Sequence, residues 1–326
     1  MGYMITISKA IYDYLETISL ARSENTFRTY QNGLNVFKNC LEDQSISISD
    51  QSCKQLDEKN FAYFITELKN YAPTTERLYI TSVIGFFEYL ISENLSKVNI
   101  LSLRMLVKKR ARIPRQRLPQ FPKSAIETLI EKIDELPKTP TDNQSEALIN
   151  YRDRAFLISL ADTGLRVHEA CNLRRGDVDW FEKKAMVIGK GNKEAVVRFS
   201  DRSIKAIKDY LKFRSSIDGS TGVPLSSLPL FARHDKGAGK KIKPITTTTG
   251  RNIVTARVEE FLGKDAVGTI TPHSFRHYYV TRVLQYSGNL KLAQSLARHT
   301  NIAITQRYAH INDDELDRGY NEIFDN

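Results

Sequence analysis

Cysteine is scarce in this chain of 326 residues. Cys40, Cys53 and Cys171 are widely spaced and odd in number. That excludes a disulfide framework and a four-thiolate zinc site, and it fits a reducing cytosol. Long hydrophobic runs are missing as well. No segment is apolar for long enough to span a bilayer, and the N-terminus lacks the charged-then-apolar pattern of a signal peptide. No membrane partner is expected, and a cytoplasmic location is. Gly2 with Thr6 fits the loose myristoylation pattern, which chance or a cloning remnant meets more readily. Nucleotide signatures are absent too: Gly237-Ala238-Gly239-Lys240-Lys241 lacks the spacing and the final Ser or Thr of a phosphate loop. His273 and His277 stand four apart, but Ser, Phe and Arg separate them and no third ligand is evident, so no metal site is expected.

Positive charge is abundant. Lys and Arg number 48 against 38 Asp and Glu, a formal net charge of +10. That balance favours polyanionic partners, although a basic but inert surface is an equal reading on charge alone. A hydrophobic fraction of 41% and a charged fraction of 26% belong to a globular protein long enough for two domains.

The first hundred residues read as helices. Tyr30, Leu34, Phe37 and Leu41 draw one apolar stripe over 26–41. Tyr79, Val83, Phe86 and Leu90 repeat it behind Thr74 and Thr75, which are good N-cap types. Ile7, Ile11, Leu15 and Ile18 predict a helix before these, and Phe61, Phe64, Ile65 and Leu68 another between them. A stretch then crowds Lys108, Lys109, Arg110, Arg112, Arg115 and Arg117 among Pro114, Pro119 and Pro122. Repelling charges and prolines predict a basic linker over 108–120, either tracking a phosphate backbone or merely solvated.

Beyond it the pattern is mixed. Ser124 and Glu127 suggest a capping box ahead of Ile126, Leu129, Ile130 and Ile133. Residues 137–150 read as a polar loop, and 151–162 as an apolar helix stopping near Gly164. Residues 185–188 and 194–199 read as two strands joined by the turn-forming run Gly189-Lys190-Gly191-Asn192-Lys193. Helices are expected at 203–213 and 249–262, and from Thr271 nearly to the end. The fold class expected is mainly α with a small β-sheet: an all-helical domain over 1–107, the linker, and a mixed α/β domain over 121–326.

Four of the six histidines fall between His273 and His310. Thr271 and Pro272 suit the start of a helix, whose free N–H groups attract phosphate. His273 and Arg276, three apart, share one face of it. Arg166 follows the turn residue Gly164, with Glu169 three residues on. Guanidinium groups bind phosphate oxygens in pairs, so two arginines can hold a phosphorane better than one.

Taken in order, Thr163-Gly164-Leu165-Arg166-Val167-His168-Glu169, Gly189-Lys190-Gly191-Asn192-Lys193, His273-Ser274-Phe275-Arg276-His277, Ala297-Arg298-His299 and Tyr308-Ala309-His310 resemble the signature of the tyrosine recombinases, in intervals closest to the Xer-like branch. The likeness covers the whole catalytic half. The helical half is similar to the family's core-binding domain in length and pattern but carries no diagnostic motif. Two positions depart: Ala297-Arg298 stands where Leu-Gly is usual, and Phe275 where Leu is commoner. Neither removes a reacting group.

The resemblance implies a role for each residue. Arg166 and Arg276 would clamp the scissile phosphate. Lys190 would protonate the leaving 5′-oxygen. His273 would assist proton transfer, and His299 would hydrogen-bond the transition state. Glu169 would support the site from behind, and Tyr308 would be the nucleophile. Lys108, Lys109, Arg110, Arg112 and Lys193 would contact DNA. A phenol ionises near pH 10, so Tyr308 needs a cationic site to become a nucleophile. Its phosphotyrosyl ester keeps the energy of the broken bond, so rejoining needs no ATP, and no cofactor is implied. The implied partners are double-stranded DNA with specific recombination sites, three further copies of the chain in a synaptic tetramer, and possible accessory DNA-bending proteins. Nucleoid association follows. The short stripe Leu316, Tyr320, Ile323 would then dock on a neighbouring protomer, or else on its own domain. A type IB topoisomerase or a telomere resolvase would share the chemistry, though both are usually larger. A DNA-binding protein that had lost catalysis would lack one of these groups, and every position is filled.

Overall fold

A computed structural model describes residues 5–112, 122–141, 143–189, 194–235, 242–306 and 308. Lys190, Lys193, the run 237–241, most of the basic stretch after Arg112 and the stripe Leu316, Tyr320, Ile323 lie outside them. The chain divides into two compact units, Met1–Arg117 and Leu118–Asn326.

The first unit holds α1 (Ile7–Ala21), α2 (Glu24–Asp43), α3 (Glu58–Glu67), α4 (Pro73–Ser92) and α5 (Ile100–Arg110). The apolar stripes turn inward: Leu34, Phe37 and Leu41 of α2 and Val83, Phe86 and Leu90 of α4 are fully buried. Phe37 meets Phe64 and Phe87 edge-on at ring separations of 5.4 and 5.8 Å, the arrangement aromatic quadrupoles favour. Gly33 lets α2 and α4 approach closely, because a side chain there would collide with Ser82 Oγ.

Three local expectations are corrected. The cap of α4 is Ala72 with Pro73 in the first turn, not Thr74 or Thr75. The linker does not begin at 108, because Lys108, Lys109 and Arg110 form the last turn of α5. Leu103, Leu106 and Val107 carry that helix along the core, and cations suit a helix C-terminus. Arg112 is no free DNA contact either. It returns to the core, where its Nε donates to Glu76 Oε2 at 2.5 Å and its Nη2 to the Tyr71 and Leu68 carbonyls. Glu76 is fully buried and also takes Lys69 Nζ at 2.7 Å. Burial works against its charge, but these bonds outweigh it and hold the carboxyl below its usual range.

The second unit holds α6 (Lys123–Glu135), α7 (Gln144–Thr163), α8 (Val167–Asn172), α9 (Asp201–Phe213), α10 (Ser215–Gly219), α11 (Thr247–Leu262), α12 (Pro272–Ser287), α13 (Leu290–Ala297) and α14 (Ile302–Gln306). Its sheet is antiparallel, in the order β1 (Val178–Asp179), β2 (Lys184–Ile188), β3 (Glu194–Arg198). Ala185 pairs with Val197, and both face the core; Met186 pairs with Val196, and both are exposed. The short β1 carries too few residues to show a period. The helix α7 is the axis of this unit, buried nearly all round from Arg152 to Ala161.

The loop expected over 137–150 is shorter than that. The Asn143 side chain caps α7 by accepting from the backbone N–H groups of Ser145 and Glu146. The polar residues that follow are needed inside: Asn150 accepts from Arg257 at 2.7 Å, and Asp153 takes the same guanidinium at 2.8 Å, which seats α11 on α7. Ser124 makes no cap; the residue before α6 is Pro122. The last helical stretch is also broken, by Gly288 and Arg298 in left-handed conformation.

Candidate active site

Gly164 ends α7 with φ +61°. The Tyr279 ring of α12 fills the space a side chain would take there, its Cδ1 only 2.4 Å from the position of a Cβ. Glycine is thus required both by conformation and by space. The tight turn delivers Arg166 to the start of α8, where Glu169 holds it twice. Its backbone N–H donates to Glu169 Oε2, and its Nη1 to Oε1, each at 2.9 Å.

Arg276 sits in the second turn of α12 and is 1% exposed. Its Nη1 donates to the Gly164 carbonyl at 2.5 Å, and its Nη2 to the Ala297 carbonyl. One side chain therefore ties together three segments far apart in sequence. Burial, then the neighbouring Arg166 and Arg298, lowers its pKa to about 10; it remains a cation at neutral pH.

The turn after α13 carries His299. Its Nδ1 lies 2.9 Å from Oγ1 of the fully buried Thr305, which fixes the ring. Tyr308 follows α14, its backbone N–H bonded to the Thr305 carbonyl. The Tyr308 ring is nearly parallel to that of His299 at 6.1 Å and lies 4.7 Å from that of His277. His277 in turn meets His273 edge-on at 4.6 Å. Burial, then neighbouring positive or histidine groups, lowers all three histidines. His277 and His299 fall to about 4, and His273 moves in the same direction. All three are neutral at pH 7, so each ring carries one donor and one acceptor.

A cavity of about 440 Å³ opens here, lined by Arg166, His168, Arg251, Thr255, His273 and Arg276. Arg166 and Arg298 pair with one carboxylate, Glu169, whose charge also acts on Arg276, so three cations stand against one anion and favour a second. Among the described residues no group of three or more His, Cys, Asp or Glu could hold a metal ion.

Of the residues singled out from sequence, Arg166, Glu169, His273, Arg276, His299 and Tyr308 are brought together. Lys190 and Lys193 lie outside the described residues. Lys108, Lys109 and Arg110 are exposed in the first unit. Two further residues belong to the cluster. His277 stands in the third motif and in the failed zinc pair with no role of its own, although its spacing from His273 puts both on one face. Arg298, in sequence a departure from the family's pattern, joins the site through Glu169.

The Phage integrase family description fits residues 123–315, more than half of the chain, and the N-terminal SAM-like domain of phage integrases fits residues 11–94. The chain belongs to the phage integrase family and is a tyrosine recombinase, a site-specific enzyme that breaks and rejoins DNA. It is similar to tyrosine recombinase XerC of Treponema denticola, 28% identical over 298 residues, covering 90% of this chain and 91% of that one. XerC of Listeria innocua is 29% identical over 316 residues, 96% of each chain. The fold is also that of the Tn1549 transposon integrase solved with a circular intermediate DNA, at TM-score 0.69 and 16% identity over 98% of this chain and 100% of that one. No described helix is long and apolar enough to cross a membrane.

Proposed function

We propose that Tyr308 attacks the scissile phosphate of a specific recombination site. A 3′-phosphotyrosyl link forms and a 5′-hydroxyl is released. The same hydroxyl chemistry, run backwards by a partner strand, rejoins the DNA, and two such rounds pass through a Holliday junction. Arg166 and Arg276 hold the non-bridging oxygens and meet the charge of the phosphorane. His299, with Nδ1 engaged by Thr305, offers Nε2 to the phosphate. His273 assists proton transfer, and Lys190 protonates the leaving oxygen. Glu169 positions Arg166.

The observation that carries this reading is the Tyr308 ring against His277 and His299, beside the buried Arg276. The five-helix unit acts as the core-binding domain and uses the exposed Lys108, Lys109 and Arg110 on the DNA backbone, with Lys193 adding a contact from the hairpin. The working assembly is a tetramer on two duplexes, with room for accessory DNA-bending proteins, at the nucleoid.

The test is Tyr308→Phe on a nicked suicide duplex, built on the site that the wild-type protein selects from random-sequence DNA. The phenyl ring keeps the packing and loses the attacking oxygen. Site binding is expected to persist while the SDS-resistant adduct disappears. An adduct of wild-type yield from the variant would remove Tyr308 from the role of nucleophile.

A further inference from the structure

Arg298 occupies an unusual place. It ends α13 in left-handed conformation, φ 56° and ψ 44°, which costs a residue with a side chain roughly 1–2 kcal/mol and glycine almost nothing. The side chain is only 11% exposed. A long cation held in strained backbone and taken out of water needs a compensating contact.

That contact is Glu169. Arg298 Nη2 donates to Glu169 Oε2 at 3.0 Å and reaches the Gly164 carbonyl at 3.4 Å. The carboxylate is thereby shared. One oxygen takes the Arg166 guanidinium, and the other takes the Arg166 backbone N–H and Arg298. Arg298 Nε and Nη1 are buried with no hydrogen-bond partner among the described residues, so packing alone does not satisfy the group. Without Arg298, one carboxylate would stand against Arg166 and Arg276 and cancel one of their two charges. With it, three cations face one anion.

We propose that Arg298 is a positioning residue that neutralises Glu169, so that Arg166 and Arg276 both present uncompensated charge to the scissile phosphate. This rests on the reading of Tyr308, Arg166 and Arg276 given above. Arg298 does not touch the phosphate in this scheme. It acts through Glu169, and its effect belongs to cleavage rather than to DNA binding, most of which comes from contacts spread along the backbone.

The test is a double-variant cycle on the same suicide duplex. Wild-type adduct that disappears in Tyr308→Phe first secures the underlying reading; no adduct from wild type would overturn that reading and this inference together. Arg298→Gly relieves the backbone and is expected to keep its thermal midpoint and, within about threefold, its DNA affinity. Single-turnover cleavage is expected to slow roughly 10- to 100-fold, the effect of about one unit charge acting over several ångströms in a partly screened site.

Glu169→Gln then separates charge from shape. Beside Arg298, the neutral amide would leave three guanidinium groups without a counter-charge, and cleavage is expected to fall. In the Arg298→Gly background the same amide leaves Arg166 and Arg276 facing no carboxylate, at the cost of one of the two Arg166 bonds. The double variant is therefore expected to cleave about tenfold faster than Arg298→Gly alone. Wild-type cleavage by Arg298→Gly would overturn the proposal. So would a double variant no faster than Arg298→Gly, or a loss of affinity matching the loss of cleavage.

Discussion

Arg276→Lys keeps the charge and removes the fork, and it should do two kinds of damage at once. The guanidinium donates to the carbonyls of Gly164 and Ala297 from two separate nitrogens. A lysine has one ammonium and can keep one of them. A charge-assisted bond lost from a buried site is worth about 1.5–3 kcal/mol. If the ammonium stays on Ala297, the Gly164 carbonyl retains, among the described residues, only the long side-chain contact from Arg298 at 3.4 Å. The expected destabilisation is about 2 kcal/mol, roughly 4–8 °C for a unit of this size. Trp180 is the single tryptophan of the chain and lies in the second unit, so its fluorescence follows the unit that contains Arg276. Cleavage of the suicide duplex should fall on the order of 100- to 1000-fold, since an ammonium cannot grip two phosphate oxygens as a planar fork does. Tyr308→Phe, which keeps both guanidinium bonds of Arg276, supplies the comparison midpoint. A midpoint for Arg276→Lys at or above wild type would refute the strut. A lowered midpoint with cleavage within about threefold of wild type would leave Arg276 structural and remove it from the clamp.

Lys190→Ala should cleave ordinary DNA slowly but recover most of the wild-type rate when sulfur replaces the bridging 5′-oxygen, because a thiolate leaves without a proton. Equal defects on both substrates would pass the acid role to Lys193 or His273. Acid should weaken the second unit in a particular window. His277 and His299 ionise near 4 and His234 near 3 in the folded protein, against an ordinary 6.5, and His273 is lowered too. The unfolded chain binds protons first, so stability is complete above about pH 6.5 and falls as the pH drops toward 4. The Trp180 urea midpoint, followed from pH 7.5 to 4.5, should decline over that range and decline less in His277→Gln. A flat profile would mean that the histidines are not held neutral by burial.

Helix stripes were legible because burial repeats with the helical period: Leu34, Phe37 and Leu41 could face only one way. The turn at Gly164 was legible because few residues besides glycine accept a positive φ at low cost. The ordered motifs from Arg166 to Tyr308 identified the chemistry, since each reacting group has a fixed chemical task whatever surrounds it. Helix boundaries were less legible. Ala72, Asn143 and Pro122 bound their helices through local geometry that tertiary packing arbitrates, and Asn150 looks like a loop residue until Arg257 is seen beside it.

Sequence alone determined the fold class and the family and nominated the reacting residues, because these depend on residue type, order and period. Tertiary structure decided which charges are free. Arg112 and Lys108 belong to the same basic run, yet one is tied to the buried Glu76 and the other is exposed. Arg298 looks like a stray substitution and proves to share the Glu169 carboxylate with Arg166. A guanidinium has the same charge in every sequence; whether that charge is spent on a buried carboxylate or left for an anion depends on which residues distant in the chain fold against it.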